Sequence, residues 1–337
     1  WFDFSLAWLY ACVVPEEGEM RFVVLLFAAL LGTAALAQEY PNRPLRFIVP
    51  YPPGALTDVL ARVIGERLGT ALKQPVVVEN RAGAGTLLGA DIVAKAPADG
   101  YTLLMATSTT LGISPAIYAK PAIDPVKDFA AVSLVGSVNF FLVTAPSFPA
   151  KNVREFIDQV KKNPGKFNYA SSGSGSPHHL FMEVLKKEQG LDIQHVPYKG
   201  SALAVFDVIG GKPEVMFLDF SVAVPNIRGG KINALGTSAG KQSVLMPEVP
   251  PISATLPGFD WQAWQGVVTT GGTPPAVVAR LNAEMQKFQQ TDEFRAQLLK
   301  FGMEPWSPNT AAEFADIVRT DVGRWAGVVK AAGLKVD

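Results

Sequence analysis

The chain has 337 residues, equal numbers of basic and acidic side chains at 30 each, and 48% apolar content. That length suits about two domains. The balanced charge and ordinary apolar content argue against a nucleic-acid partner and against disorder.

The first 37 residues read as a leader rather than as part of a fold. Met20-Arg21 precedes the apolar run Phe22 to Leu31, and small residues stand at Ala35 and Ala37. A basic start, an apolar stretch short for a bilayer span and a small-residue site are the secretory pattern, with cleavage expected before Gln38. Residues 1–19 then read as upstream sequence from a misplaced start, and residues 20–37 as the signal peptide. A membrane anchor is the competing reading. Cleavage also removes Cys12, the one cysteine, so the exported chain would hold no disulfide and no reactive thiol. The periplasm is the expected compartment.

From Leu45 strands and helices alternate. Leu45–Val49 is apolar, Thr57–Leu72 has helical spacing, Pro75–Glu79 is a second strand, Thr86–Ala96 a second helix and Tyr101–Ala106 a third strand. The apolar run Ala131–Ala145 reads as one extended strand, followed by a helix over Asn152–Lys162. A second series continues with a strand ending near Ala170, a helix from Pro177, strands at Ile193–Val196, Val215–Leu218 and Ile232–Thr237, and helices between them. Past the proline-rich connector Met246–Pro257, Trp261–Thr269 is strand-like and the remainder mainly helical. This order predicts an α/β chain with mostly parallel sheets in two lobes. Lobe 1 is expected to be discontinuous, residues 40–140 plus 263–337, with lobe 2 at 141–262. The crossings near Phe140 and Trp264 would form a hinge.

Ligands in open α/β sheets sit beyond the carboxyl ends of strands, which selects four segments. Pro50 to Asp58 offers Gly54 for close approach and Thr57 as an expected N-cap; Asp58 in the first helical turn would repel an anion unless it met a hydroxyl or ammonium. Thr107 to Thr110 includes Ser108. The run Ser171-Ser172-Gly173-Ser174-Gly175-Ser176 leads into Pro177, with Ser176 as the natural N-cap. Asp219 follows a buried-looking strand, placed either to reach a cleft or to cap the next helix. Helix N-termini present unpaired amides and partial positive charge, worth roughly 0.3–2 kcal/mol to an anion by dipole alone. Lys199 reads as a surface lysine.

Catalytic and cofactor readings are weaker. Adjacent His178 and His179 point about 100° apart on a helix, so at most one is expected to face the loop, and with His195 they give no metal spacing. Gly83 to Gly89 misses the dinucleotide spacing by one residue, and no cofactor is expected. Gly236-Thr-Ser238-Ala-Gly240 matches a nucleophile elbow and makes a secreted serine hydrolase the catalytic alternative. However, proline follows too soon for a full helix, and all three histidines precede Ser238.

The motifs together resemble the Bug-type solute-binding proteins of tripartite tricarboxylate transporters. They are Tyr-Pro-x-Arg-Pro at 40–44, Ile-Val-Pro-Tyr-Pro-Pro-Gly at 48–54, Val-Glu-Asn-Arg at 78–81 and Asp-Gly-Tyr-Thr-Leu-Leu-Met at 99–105. Further along come Asn-Tyr-Ala-Ser-Ser-Gly-x-Gly-Ser at 168–176, His-Val-Pro-Tyr-Lys-Gly at 195–200, Leu-Pro-Gly-Phe at 256–259 and Gly-Thr-Pro at 272–274. The resemblance implies a type II periplasmic-binding-protein fold and a monomeric receptor without enzymatic activity. It implies delivery of a small mono- or dicarboxylate to membrane permease subunits. It carries ligand contacts to Tyr51, Gly54, Ala55, Asp58, Ser171, Ser172, Gly173 and Ser176. Ala55 stands where the family usually has glycine, and the residues after Met105 also depart from its pattern. A ligand-sensing partner of a membrane signalling receptor would share this fold.

Overall fold

The computed structural model describes residues 40–335; the expected upstream segment and signal peptide lie outside them. Two sheets organise the chain. The first has strand order β11-β4-β10-β3-β1-β2, formed by β1 (Leu45–Val49), β2 (Val76–Asn80), β3 (Thr102–Thr107), β4 (Phe129–Val138), β10 (Ala263–Thr270) and β11 (Met303–Pro305). The second has the order β7-β6-β8-β5-β9, formed by β5 (Phe140–Thr144), β6 (Asn168–Ser171), β7 (Gln194–Pro197), β8 (Val215–Asp219) and β9 (Asn233–Thr237). β1, β2, β3 and β4 share one direction, with β10 and β11 reversed against them. In the second sheet β5 alone is reversed among the described strands. The prevailing parallel direction is therefore interrupted by one reversed strand inside each sheet.

The helices follow from apolar spacing and from their stop signals. In α1 (Leu56–Leu72) residues Leu60, Ile64, Leu68 and Leu72 line the buried face, and Lys73 in a left-handed conformation ends it. α2 (Leu87–Ala94) is shorter than its periodicity predicts, because residues 84–86 form a tight turn with positive φ. A π-helical turn (Thr109–Ile113) and α3 (Ser114–Ile117) follow β3. The second sheet carries α4 (Val153–Lys162), α5 (Pro177–Gln189), α6 (Ser201–Ile209) and α7 (Phe220–Arg228). The tail supplies α8 (Pro275–Gln289), α9 (Asp292–Lys300) and α10 (Ala311–Ala331). β11, between α9 and α10, is too short to register as an apolar pattern.

One expectation is corrected. The run from Ala131 to Ala145 is two strands, β4 and β5, in different sheets, separated by Asn139 alone. Both halves are buried, so hydrophobicity shows no break; the break is polar. Asn139 is fully buried and its Nδ2 donates to Ser243 Oγ at 3.4 Å. Ser238, after β9, then ties the crossings together. Its N–H donates to Phe140 O at 2.8 Å, its Oγ accepts from Phe140 N–H at 3.2 Å, and its carbonyl accepts from Trp261 N–H at 2.9 Å.

α10 packs on both cores. Phe314 and Val318 join Leu134 and Trp264, whereas Trp325, Val328 and Val329 join Tyr169, Phe181 and Phe217. Trp325 lies parallel to Phe181 at 5.9 Å and tilted on Trp261 at 4.9 Å. Residues 43–337 accordingly form one compact unit. Truncating this fully buried indole is expected to cost about 3–5 kcal/mol. In urea unfolding, Trp325→Ala should show a markedly lowered midpoint and Trp325→Phe a smaller drop; an unchanged midpoint for the alanine variant would refute the packing of α10 on the second core.

Candidate functional site

Strand register decides where the candidate loops meet. Thr107 at the end of β3 stands beside Gln265, and Val138 at the end of β4 beside Ala263. In the other sheet Asp219 at the end of β8 stands beside Phe140, and Thr237 at the end of β9 beside Phe141. Phe140 follows Val138 by two residues, so the carboxyl ends of both sheets abut the same pair of crossings. A direct contact supports this: a Cβ built on Gly175 would fall 2.6 Å from Ile117 Cδ1.

The first loop is braced from below. Gly54 has φ +82° and open space around it, which leaves its backbone accessible. Its N–H donates to Asp58 Oδ2 at 2.8 Å. Asn80 Nδ2 donates to Asp58 Oδ1 at 2.9 Å and to Tyr51 O at 3.1 Å, and Arg62 pairs with both carboxylate oxygens. Burial would raise the pKa of Asp58, but the bonds from Gly54, Arg62 and Asn80 outweigh it and hold the carboxyl below its usual value. Asp58 is thus neutralised within the loop, and its repulsion of an anion is muted. Thr57 is not the N-cap. Ala55 is, with no side-chain cap bond, because Asp58 one turn in reaches back to the loop instead. The Tyr51 hydroxyl meets Thr107 Oγ1 at 3.0 Å, and Thr107 Oγ1 meets Thr110 Oγ1 at 3.0 Å. Burial raises the Tyr51 pKa, so it stays a neutral donor or acceptor. Ser108 is buried at the start of the π-helical turn without a side-chain cap bond.

The serine-glycine loop is braced by histidines. Ser176 is the N-cap of α5: its Oγ accepts from His179 N–H at 3.4 Å and donates to Gly173 O at 2.7 Å. Gly175 N–H donates to His179 Nδ1 at 3.0 Å. Fully buried Ser171 lies 2.7 Å from His195 Nε2, and its Oγ accepts from Gly173 N–H at 3.1 Å. Half-buried Ser172 lies 2.9 Å from His178 Nδ1, whose Nε2 is 3.1 Å from Asp219 Oδ2. Gly173 has φ +137°. Both α5 histidines therefore serve the loop, contrary to the helical-wheel expectation, because the loop wraps over the first turn and meets His178 from the side and His179 from the end.

Asp219 also caps α7, accepting from Val222 N–H at 3.4 Å and Ser221 Oγ at 2.5 Å. Burial opposes its charge, but His178, Ser221 and Ser201 overcome this and drive its pKa far down. Lys199 is exposed. Ser238, the elbow serine, is fully buried with its hydroxyl on Phe140 N–H, which leaves no exposed nucleophile there. No cluster of three metal-ligating side chains occurs among the described residues, and no described helix is long and apolar enough to cross a membrane. A cavity of about 520 Å³ lies among Ser137, Lys241, Asp260, Glu304 and Trp306, sharing no lining residue with these loops. That cavity has polar side chains of its own, and the candidate site is assigned to the loops because they stand at the carboxyl ends of strands in both sheets.

The histidine support has a pH signature. His179 and His195 stack at 3.8 Å and 5°, with the Tyr169 ring close to parallel beside them, 4.9 Å from His195 and 6.1 Å from His179. Burial lowers the pKa of both, and proximity to His195 lowers that of His179 further, to about 4. An unfolded histidine takes up its proton near about 6.5, so between that pH and about 4 the unfolded chain binds more protons than the native one. Stability is complete above this window and falls as pH drops through it. NMR titration should find His179 neutral well below the usual imidazole range, with the urea midpoint declining over the same interval. An ordinary titration of His179 would contradict the neutral support.

Comparison with known proteins agrees with this architecture. Residues 60–334 match the family described as tripartite tricarboxylate transporter family receptor. The protein BugT of Bordetella pertussis is 36% identical over 324 residues, covering 93% of this chain and 97% of that one. Two Rhodopseudomonas palustris structures are also similar. Rpa4515 with adipate has 31% identity and a TM-score of 0.74, covering 88% of this chain and 99% of its own. MatC with bound malate has 32% identity and a TM-score of 0.70, covering 86% and 100%. The fold is that of the two-lobed periplasmic binding proteins, and the chain belongs to the tripartite tricarboxylate transporter receptors of the Bug type, a family of periplasmic solute-binding receptors and not of enzymes.

Proposed function

We propose that this receptor binds a small mono- or dicarboxylate between two lobes and delivers it to the membrane subunits of a tripartite tricarboxylate transporter. The convergence of both sheets' carboxyl ends on one pair of crossings carries the reading. In it, residues 40–140 plus 263–337 form one lobe and residues 141–262 the other, with Asn139 and the 238–262 connector as the hinge. α10 acts as the strut against which the lobes move. Tyr51, Gly54 and Ala55 face the ligand from one side and Ser172, Gly173 and Ser176 from the other, with buried Ser108 and Ser171 set beneath the two loops. Asp58 and Asp219 brace these loops. Relatives holding adipate and malate support a carboxylate ligand. The leader at residues 20–37 supports export to the periplasm, where the receptor works as a monomer.

A thermal-shift screen of mono- and dicarboxylates tests this directly. A ligand at 100 times its Kd should stabilise the fold by about 2.7 kcal/mol, and small-angle scattering should show compaction at saturation. Silence across the screen, or binding without compaction, would overturn the receptor or the closure reading respectively. Co-purification with the membrane subunits in detergent tests delivery.

A further inference from the structure

The hydrogen-bond chain behind Ser172 has a direction. Asp219 is ionised, its Oδ1 takes protons from Ser221 and the Val222 amide, and its Oδ2 faces His178 Nε2 at 3.1 Å. An ionised carboxylate only accepts. A neutral His178 must therefore carry its proton on Nε2 and leave Nδ1 as an acceptor. His178 is 8% exposed, and the edge-on contact with Phe140, 4.9 Å at 82°, packs its ring in this orientation. Ser172 Oγ, 2.9 Å from Nδ1, then donates inward. Its hydroxyl proton is committed, and only lone pairs remain on the half-buried side.

The hydroxyls of Ser171 and Ser176 are committed too. Ser176 donates to Gly173 O at 2.7 Å, and Ser171 is enclosed between Gly173 and His195. A carboxylate placed at Ser172 would face an oxygen lone pair. To receive a hydrogen bond it would have to pull the hydroxyl off His178 and leave a buried imidazole nitrogen without a donor, which is unfavourable. A ligand hydroxyl donates to Ser172 and leaves the chain intact. An ammonium would also donate, but the Asp219 carboxylate already faces His178 and accepts from Ser221 and Val222, so its charge is largely spent on those partners and compensates the ammonium's desolvation less well.

We infer that Ser172 meets the ligand as an acceptor, so that the site favours a hydroxy-substituted carboxylate over the same carbon skeleton without the hydroxyl. This rests on the reading that the serine-glycine loop lines the ligand site. It adds a specificity-determining group, and it makes His178 and Asp219 positioning residues for that group.

Calorimetric titration near pH 8 with matched straight-chain acids, with and without a 2-hydroxyl and with the 2-amino counterpart, tests it. In the unaltered protein the hydroxy acid should bind about tenfold tighter than its parent, equivalent to 1.4 kcal/mol. Asp219→Asn keeps the cap oxygen on Val222 while turning an amide N–H toward Nε2. That moves the imidazole proton to Nδ1 and frees the Ser172 proton, so the hydroxyl preference should vanish or invert. Ser172→Ala, a small change in a loop, should bring the two acids to similar affinity. Long-range ¹H–¹⁵N spectra of His178 should show Nδ1 unprotonated in the starting protein and protonated in Asp219→Asn.

Equal affinities in the unaltered protein, a preference that survives Asp219→Asn, or tighter binding of the amino counterpart would each overturn the inference while leaving the carboxylate receptor intact. If no acid of any kind binds, the receptor reading itself fails and this inference falls with it.

Discussion

The exchange of hydrogen bonds between Phe140 and Ser238 is the constraint on which the rest of the arrangement depends. Ser238 gives its N–H to the Phe140 carbonyl and takes the Phe140 N–H on its side-chain oxygen, so the two connections between the sheets run side by side. The carboxyl ends of β3, β4, β8 and β9 are thereby brought to one place. A serine suits this position because its short hydroxyl can satisfy a buried amide while its own backbone continues the bond pattern. The sequence feature that suggests a nucleophile elbow thus has a structural use, in a place too buried for a nucleophile.

Fold and site were legible to different depths. Elements with strong periodicity and clear caps were readable: α1 from its four-residue apolar spacing, α5 from Ser176-Pro177, and both sheets from the alternation of strands with helices. Asn139 was not, because a chain that passes directly from one buried strand into another shows no hydrophobic break. The four candidate segments were found from the rule that ligands sit beyond strand ends, yet the roles inside them were not. Asp58 could be weighed only as free or unengaged, since Arg62 one turn along and Asn80 on β2 become its partners only in three dimensions. The helical-wheel argument misplaced the histidines because it treats a helix start as a cylinder in solvent, whereas the loop folds over it. The three histidines lack metal-ligand spacing, and no sequence spacing announces that imidazoles will hold serines and a glycine amide.

The two loops solve one problem in different ways. On the proposed reading, each holds backbone N–H groups and small hydroxyls at a fixed position beside the ligand's carboxylate, without adding a negative charge that would repel it. The first loop uses a carboxylate brace and cancels its charge with Arg62, whose guanidinium contacts both Asp58 and Asn80. The second uses imidazoles, and burial keeps those of His179 and His195 unprotonated. A lysine or arginine at either loop would attract anions more strongly, but it would attract all of them. It would also leave a desolvated cation whenever the site stood empty.

Fixed dipoles and oriented hydroxyls avoid both costs, because their interaction with a ligand depends on geometry and they need little reorganisation on binding. Selectivity in such a site then resides in which way each hydroxyl points. In the serine-glycine loop that direction is set one bond further back, by the proton positions on imidazoles whose own orientation is fixed by Asp219 and by ring packing against Phe140 and Tyr169. If the ligand meets the serine-glycine loop as proposed, the residues that decide what this receptor binds lie beneath the surface it touches, and two chains with the same loop would differ in ligand through substitutions at positions such as 178 and 219.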